Sequence, residues 1–301
     1  MKKIILTVGA MLAMAFTCFA ATPEKYFKYD LAGKAILNTT GLKGDYICIT
    51  DVYDDKLAED GITEIEFPKE IEGLKVIAIC GKVDDFGNVY DLSIGGSIKA
   101  VIIPETYEIV NCNLDESTTT QFTGTTTRPL YFGVRPYSDP KYTDVKGHAV
   151  INGGLPQAGR KVYFPQSTTF YDANIKINGI ETLTVRKNWI FDCRVQQSNG
   201  YSYVKSDSIT ELKFEEGCVN VCRWKSPKLA KVTLAKSIKE IVADAFSGNS
   251  NLSEVVVPAG AKYSYPNALM MGIIESKAFS GCSLGIKAKS AIKATGYTGE
   301  F

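Results

Sequence analysis

The chain has 301 residues but only one histidine, two tryptophans and almost no net charge. Its 34 lysine and arginine residues nearly balance its 33 aspartate and glutamate residues, for a formal charge of +1. This balance argues against a nucleic-acid-binding protein, which needs a basic stripe to neutralise phosphates. With one histidine, no site with two or three histidine ligands can form within the chain, and any Ser-His or Cys-His catalysis has to use His148.

Local catalytic and metal-binding motifs are also missing. The sequence contains no Gly-x-Ser-x-Gly elbow, phosphate loop or dinucleotide fingerprint. His148 has no Ser, Cys or carboxylate at motif spacing, and the acidic stretch 51–60 lacks the Asp-x-Asp-x-Asp-Gly pattern of a calcium loop. We therefore expect no enzyme activity, no cofactor and no metal. A glycoside hydrolase with two carboxylates stays an alternative, because such acids need no local motif.

Long apolar runs are absent after the first residues. Lys2 and Lys3 precede an apolar run from Ile4 to Phe16, and Cys18-Phe19-Ala20 resembles a cleavage site. We interpret 1–20 as a signal peptide, since the run is shorter than the roughly 18 apolar residues of a membrane span. The mature protein is then expected to be exported to the cell surface, the periplasm or the medium, without a transmembrane segment.

Cys18 offers a second interpretation of this segment. Ala15-Phe16-Thr17-Cys18 loosely resembles a bacterial lipoprotein signal, in which the cysteine is acylated. Thr17 and Phe19 both depart from that pattern, which favours cleavage over a lipid anchor.

The other seven cysteines do not follow a disulfide framework, because their spacings are long and irregular. An odd number in an exported chain requires at least one free thiol or an intermolecular bond. We expect most of them to be buried as small apolar residues; they are Cys48, Cys80, Cys112, Cys193, Cys218, Cys222 and Cys282.

What the chain does contain is an internal repeat. The segments 229–249 and 252–282 open on the same apolar-x-x-apolar-x-apolar pattern and close on Ala-Phe-Ser-Gly followed by Asn249 or Cys282. The same opening recurs upstream, and four of the six intervals between its central positions are 20 to 29 residues long, the period of leucine-rich repeats. The central positions are Ile65, Val101, Val162, Leu183, Leu212, Val232 and Val255, of which Val162 is the faintest because Gly159 replaces its first apolar residue.

Each opening predicts a short strand with alternate residues pointing inward. A strand of this length cannot bury its apolar face alone, so stacked units are expected to form a parallel sheet over a continuous core. Phe246 and Phe279 are predicted to fill the interior, and Trp189 to be buried. Asn249 and Cys282 are predicted to bond the turn backbone, a structural role.

Several of these segments resemble the BspA-type leucine-rich-repeat family. The stretch from Pro68 through Ile71, Gly73 and Val76 to Ile79 is similar to its first unit, and 238–246 and 278–282 resemble later units. The segment 29–49 resembles the strand pair that precedes the repeats. The resemblance implies a mainly β right-handed superhelix, exported by host-associated bacteria, with some members acting as adhesins for host matrix proteins or cells.

The expected organisation is a signal peptide (1–20), an N-terminal cap (21–60), a leucine-rich-repeat solenoid (61–284) and a C-terminal tail (285–301). The middle of the solenoid, about 111–159, gives no readable unit and is interpreted as an irregular insertion. The tract 117–127, rich in Thr and free of charge, is expected to be an exposed partner-contacting insertion or a mobile linker.

Residues between the inward positions are predicted to form the exposed face of the sheet, which repeat proteins use to bind large partners. We predict this face as the binding site for a host matrix or cell-surface protein. Its predicted contact residues are Glu66, Ile102, Tyr163, Thr184, Lys213, Thr233 and Val256. The alternative is a carbohydrate-binding surface protein that uses Tyr201, Tyr203 or the Tyr263–Tyr265 loop.

Overall fold

The computed structural model describes residues 21–82, 90–115, 117–134, 148–156, 159–164, 174–191, 203–266 and 276–301, with only the backbone of His148 and Asn174. The predicted signal peptide, Cys193 and Tyr201 therefore lie outside the described residues.

Short strands dominate the described chain, and helices are few. A 3-10 turn covers Glu24–Tyr26, and the α-helices are α1 (Lys34–Thr40), α2 (Asp54–Glu59) and α3 (Ile286–Ala294). The first strands are β1 (Phe27–Leu31), β2 (Ile47–Val52), β3 (Glu64–Glu66), β4 (Glu70–Ile71), β5 (Leu74–Ile79), β6 (Leu92–Ser93), β7 (Ala100–Ile103), β8 (Ile109–Val110), β9 (Cys112–Asn113), β10 (Thr119–Phe122) and β11 (Leu130–Phe132). The later strands are β12 (His148–Asn152), β13 (Val162–Tyr163), β14 (Asn174–Asn178), β15 (Thr182–Val185), β16 (Trp189–Ile190), β17 (Tyr203–Lys205), β18 (Glu211–Phe214), β19 (Asn220–Val221), β20 (Trp224–Lys225), β21 (Lys231–Thr233), β22 (Glu240–Ile241) and β23 (Glu254–Val256).

Strands that follow one another at repeat spacing pair side by side in parallel. One four-stranded sheet has the order β15-β18-β21-β23, another β12-β14-β17-β20, and a three-stranded sheet has the order β10-β7-β3. In the first sheet Leu183, Leu212, Val232 and Val255 lie in one register, and all four are buried. Ile65 and Val101 are likewise in register. The predicted strand positions and their parallel stacking are confirmed for these units.

The strand pair predicted before the repeats is confirmed as well. β1 and β2 are antiparallel, with Asp30 opposite Cys48 and Leu31 opposite Ile47. β2 then pairs in parallel with β5, which starts a longer sheet with the order β1-β2-β5-β8-β11-β13-β16.

Val162 does not belong to the series of opening strands in which the sequence placed it. β13 pairs with β11 and β16 in the longer sheet, where Val162 lies opposite Leu130 and Trp189. The apolar-x-apolar pattern occurs in strands of the longer sheet as well as in the opening strands, for example at Leu130 to Phe132, so it does not identify the sheet. Gly159 in the first apolar position was the sequence signal of this difference.

The described parts of segment 111–159 contain the four strands β9, β10, β11 and β12. β10 pairs with β7 in register, with Thr120 opposite Val101. Thr118 and Thr120 are buried, Thr120 at the position where β7 carries Val101, and the Thr118 hydroxyl donates to the Ile98 carbonyl at 2.8 Å. The tract 117–127 therefore contains a strand paired with β7, in which Thr119 and Gln121 are exposed, whereas Thr118 and Thr120 are buried against the expectation of exposure. Because a threonine stands where other units have an aliphatic residue, the sequence pattern does not reveal this unit.

The interior is one continuous apolar core that runs from Tyr26 to Tyr297. Phe246 and Phe279 are both fully buried, with ring centroids 5.5 Å apart, and Trp189 is 6% exposed, as predicted. A second, smaller cluster lies under α1 on the other side of the longer sheet. The C-terminal segment 285–301 contains α3 and the buried Tyr297, which packs on Phe279.

Candidate protein-binding surfaces

Four of the seven predicted contact residues form one row across the sheet β15-β18-β21-β23. Thr184 lies beside Lys213, Lys213 beside Thr233, and Thr233 beside Val256. Adjacent parallel strands place such residues on the same face, because side chains alternate along each strand. The first three side chains are half-buried, whereas Val256 is 39% exposed, so an apolar side chain stands at the end of a polar row.

A second row on the same face consists of charged residues that neutralise one another. The Lys231 ammonium lies 3.4 Å from the Glu211 carboxylate and 3.6 Å from that of Glu254. These two acids, Glu254 first, raise the pKa of Lys231. Lys213 also contacts Glu211, at 3.4 Å. Pairing of this kind leaves the face close to neutral, so a partner meets a polar surface with Val256 at its edge.

Glu66 and Ile102 lie in the other opening-strand sheet, β10-β7-β3. They are neighbours in register, and Gln121 continues their row on β10. Ile102 is half-buried. The structure therefore brings Glu66 and Ile102 together, in a sheet whose strands do not pair with those of Thr184 to Val256.

Tyr163 lies in a third position, on the outer side of the longer sheet. Its ring stacks on that of Tyr131, with centroids 4.8 Å apart and an angle of 7° between the planes. The Lys161 ammonium lies 4.9 Å from the Tyr163 ring centroid. Burial first, and then the neighbouring Tyr163, raise the pKa of Tyr131. The seven predicted contact residues thus lie in three sheets, and a single row that includes Tyr163 does not exist.

Tyr131 and Tyr163 belong to a row of side chains on the outer side of the longer sheet, and α1 covers another part of this row. Ala78, Ile109, Tyr131, Tyr163 and Ile190 are register neighbours on consecutive strands. Ala78 and Ile109 are buried under α1, whose Ile36 is 1% exposed. α1 ends at Gly41, a left-handed residue with φ of 70° whose N–H donates to the Leu37 carbonyl at 2.9 Å. The helix stops there, and the tyrosines beyond it stay half-exposed.

Sequence reasoning missed Tyr131. The pattern Leu130-Tyr131-Phe132 has the same alternation as Val162-Tyr163-Phe164, and this signal was available in the sequence. The segment 111–159 as a whole shows no repeat unit in the sequence, so the alternation around Tyr131 does not stand out there.

The aromatic residues proposed for sugar binding do not present free ring faces where they are described. Tyr263 is 7% exposed, and Tyr265 packs against Tyr263 and Tyr297 while its hydroxyl lies 2.6 Å from that of Thr295. Tyr203 is half-buried, with the Lys225 ammonium 3.8 Å from its ring centroid. A stacking platform for a sugar needs an open aromatic face. Burial removes it from Tyr263, and the Lys225 ammonium covers one face of Tyr203.

Turn residues and cysteines have structural contacts. The Asn249 amide donates to the carbonyls of Trp224 at 2.9 Å and Phe246 at 2.8 Å, and the Cys282 thiol donates to the Phe246 carbonyl at 3.2 Å. This matches the predicted bonding of the turn backbone. The six described cysteines, Cys48, Cys80, Cys112, Cys218, Cys222 and Cys282, are buried, and none of them forms a disulfide.

Other candidate chemistry is limited in the part of the chain that the structure describes. His148 begins β12, opposite Asn174. Within the described residues, no three His, Cys, Asp or Glu side chains come together as a metal site. Asp54 in the acidic stretch accepts a hydrogen bond from the Gly95 N–H at 2.8 Å, which ties α2 to the repeats. None of the described helices has the length and apolar character needed to span a membrane.

Comparison with known proteins gives one structural likeness and no family. No protein-family model and no curated protein matches the chain. A solved structure of a T. pallidum leucine-rich repeat protein is similar at 15% identity, covering 94% of this chain and 99% of that chain, with a TM-score of 0.40. A likeness this weak carries no argument about fold or function.

Proposed function

We propose that this protein is an exported, non-catalytic interaction module of the BspA leucine-rich-repeat type, and that it acts as a bacterial adhesin. Support for the repeat architecture comes from the register of strands β15, β18, β21 and β23, which stack at the spacing of the sequence repeat. Within this proposal the stacked units form a right-handed solenoid, whose sheet faces offer extended surfaces to large partners. The signal-like first 20 residues support export.

The observation that carries the proposed function is the row Thr184, Lys213, Thr233 and Val256. It lies on a sheet face with no buried ionised group and with the exposed Val256 at one end. Interfaces place an apolar anchor within a polar surround that excludes water. Val256 supplies the anchor here, and the hydroxyls and Lys213 supply hydrogen bonds to a protein partner.

Binding of the chain from Ala21 to a panel of immobilised host matrix proteins and glycans tests this proposal. The test variant is Lys213→Glu combined with Val256→Glu, two exposed changes on one sheet face. We expect saturable binding to a protein and a loss of at least about tenfold in affinity for the variant, because the anchor is removed and a like charge is placed beside Glu211.

The matched control is Lys43→Glu combined with Lys99→Glu, two exposed charge changes at residues outside the predicted contact set. A thermal melt of each variant checks that it is folded. Protein binding that survives in the folded double variant contradicts a site on this face. Binding to glycans alone contradicts the protein partner and favours a carbohydrate-binding protein instead.

A further inference from the structure

The outward face of α3 carries Ile286, the most exposed large apolar side chain among the described residues, and lysines surround it. Ala288 and Ile292 point into the core, at 8% and 0% exposure. Ile286 is 86% exposed, the highest fraction among the described large apolar side chains. A helix advances about 100° per residue, which places Ile286 opposite the buried pair, between Lys293 on one side and Lys287 on the other.

The charge around this face is one-sided. Residues 276–301 contain four lysines and one glutamate, in a chain that is otherwise close to neutral. Within the described residues, no carboxylate lies within the 4.0 Å ion-pair distance of Lys287, Lys289 or Lys293. Glu254, on the strand beside α3, is paired with Lys231 instead.

Two of these lysines lie beside an aromatic ring. The ammonium groups of Lys289 and Lys293 lie 5.3 Å and 5.8 Å from the centroid of Phe301, which is half-exposed. Cation–π contact at such a distance keeps the charges near the ring without neutralising them. The result is a cationic rim around Ile286, with a partly exposed Phe301 beside it.

We propose that this face of α3 binds an anionic lipid surface, as a peripheral attachment site separate from the sheet faces. Lysines beside a membrane are attracted to its acidic headgroups, and an apolar side chain between them enters the boundary of the acyl chains. Ile286 selects a membrane over a soluble polyanion, because a polyanion has no apolar layer to receive it. α3 packs beside β23, the strand that carries Val256, so the attachment site adjoins one end of the row from Thr184 to Val256.

Vesicle flotation of the chain from Ala21, without the apolar segment 4–16 that would itself enter a bilayer, tests the site. The probes are vesicles of phosphatidylcholine with about 30% phosphatidylglycerol, neutral phosphatidylcholine vesicles and soluble heparin. We expect binding to the anionic vesicles, little binding to the neutral ones, and a marked loss when salt is raised to about 0.5 M, since surface charge is then screened.

Two variants separate the charge from the apolar contribution. Lys287→Glu with Lys293→Glu should lower partitioning onto anionic vesicles at least about tenfold, and Ile286→Ser several-fold. Lys43→Glu with Lys99→Glu is the charge-matched control, since both lysines are exposed and distant in sequence from α3. It should reduce binding much less.

The outcomes are distinct. Equal losses in the two double variants mean that net charge governs binding, which overturns a site on α3. Heparin binding without vesicle binding, unaffected by Ile286→Ser, overturns the lipid surface and leaves a soluble polyanion. Loss of protein binding in the sheet-face variant with vesicle binding intact shows that the two surfaces act separately, so either proposal can fail without the other.

Discussion

At the scale of single residues, the turns are held by buried polar side chains that substitute for missing backbone partners. Asn249 is 3% exposed, donates to Trp224 and Phe246, and accepts from the Ser226 N–H at 2.9 Å. A buried backbone group left without a partner costs about 1–3 kcal/mol. One asparagine therefore satisfies three groups from adjacent turns.

Asn249→Ala is expected to lower the free energy of unfolding by about 2–4 kcal/mol, because the Ser226 N–H and the Trp224 carbonyl lose the side-chain bonds that Asn249 makes to them. The Phe246 carbonyl keeps the Cys282 thiol as a donor. Denaturant titration measures the change. Asn251→Ala is the control, since Asn251 is exposed and its amide makes one bond, to the Pro227 carbonyl. Equal effects of the two substitutions would contradict a special role for the buried amide.

The buried thiols predict how stability changes at alkaline pH. Burial, followed by the charge of Asp91, raises the pKa of Cys112 from 9.0 to about 12. The unfolded chain releases the thiol proton from about pH 9, whereas the folded chain keeps it. The contribution of this thiol to the free energy of unfolding is therefore fully present below about pH 9 and is lost as the pH rises from 9 towards 12. At pH 10 the loss is about 1.4 kcal/mol.

Cys112→Ala should flatten the fall in unfolding free energy between pH 8 and pH 10 by about that amount, although it lowers stability at pH 8. Denaturant titrations at the two pH values measure the difference for each protein. An unchanged slope between wild type and variant would mean that the native thiol ionises as easily as the unfolded one.

At the scale of elements, sequence patterns located strands well where inward residues were aliphatic. The openings around Leu183, Leu212, Val232 and Val255 stack in one register. The sequence pattern does not reveal β10, because the buried Thr120 stands at its inward position and the buried Thr118 precedes it, where other units have aliphatic residues. The Thr118 hydroxyl is satisfied by its bond to the Ile98 carbonyl.

The candidate binding residues show a different limit. Alternation along a strand identifies which side chains face outward, but it does not identify the sheet that a strand joins. Alternation alone therefore predicts Tyr163 on the same face as Thr184 and Lys213, whereas its neighbours on the adjacent strands are Tyr131 and Ile190. Pairing between strands depends on the length of every intervening turn, which degenerate repeats conceal.

At the scale of the whole molecule, stacked units need an end that covers the last apolar layer. α3 and the residues after it supply one. Phe279 is fully buried beneath Tyr297 and Phe301, whose ring centroids lie 5.3 Å and 6.5 Å from its own. The Gly285 N–H also donates to the Ser253 carbonyl at 3.4 Å, beside the edge strand β23.

Deletion of residues 285–301 is therefore expected to expose this layer, with self-association and a loss of stability that is greatest in the adjacent units. Because each unit contacts mainly its neighbours, hydrogen-exchange protection should fall across 229–266 and stay close to native across 47–79. Lys287→Glu with Lys293→Glu keeps the buried side chains of α3 and should retain protection in both segments. A uniform loss along the chain after the deletion would show that the stack unfolds as one cooperative unit, with α3 stabilising the whole molecule and not its last turns.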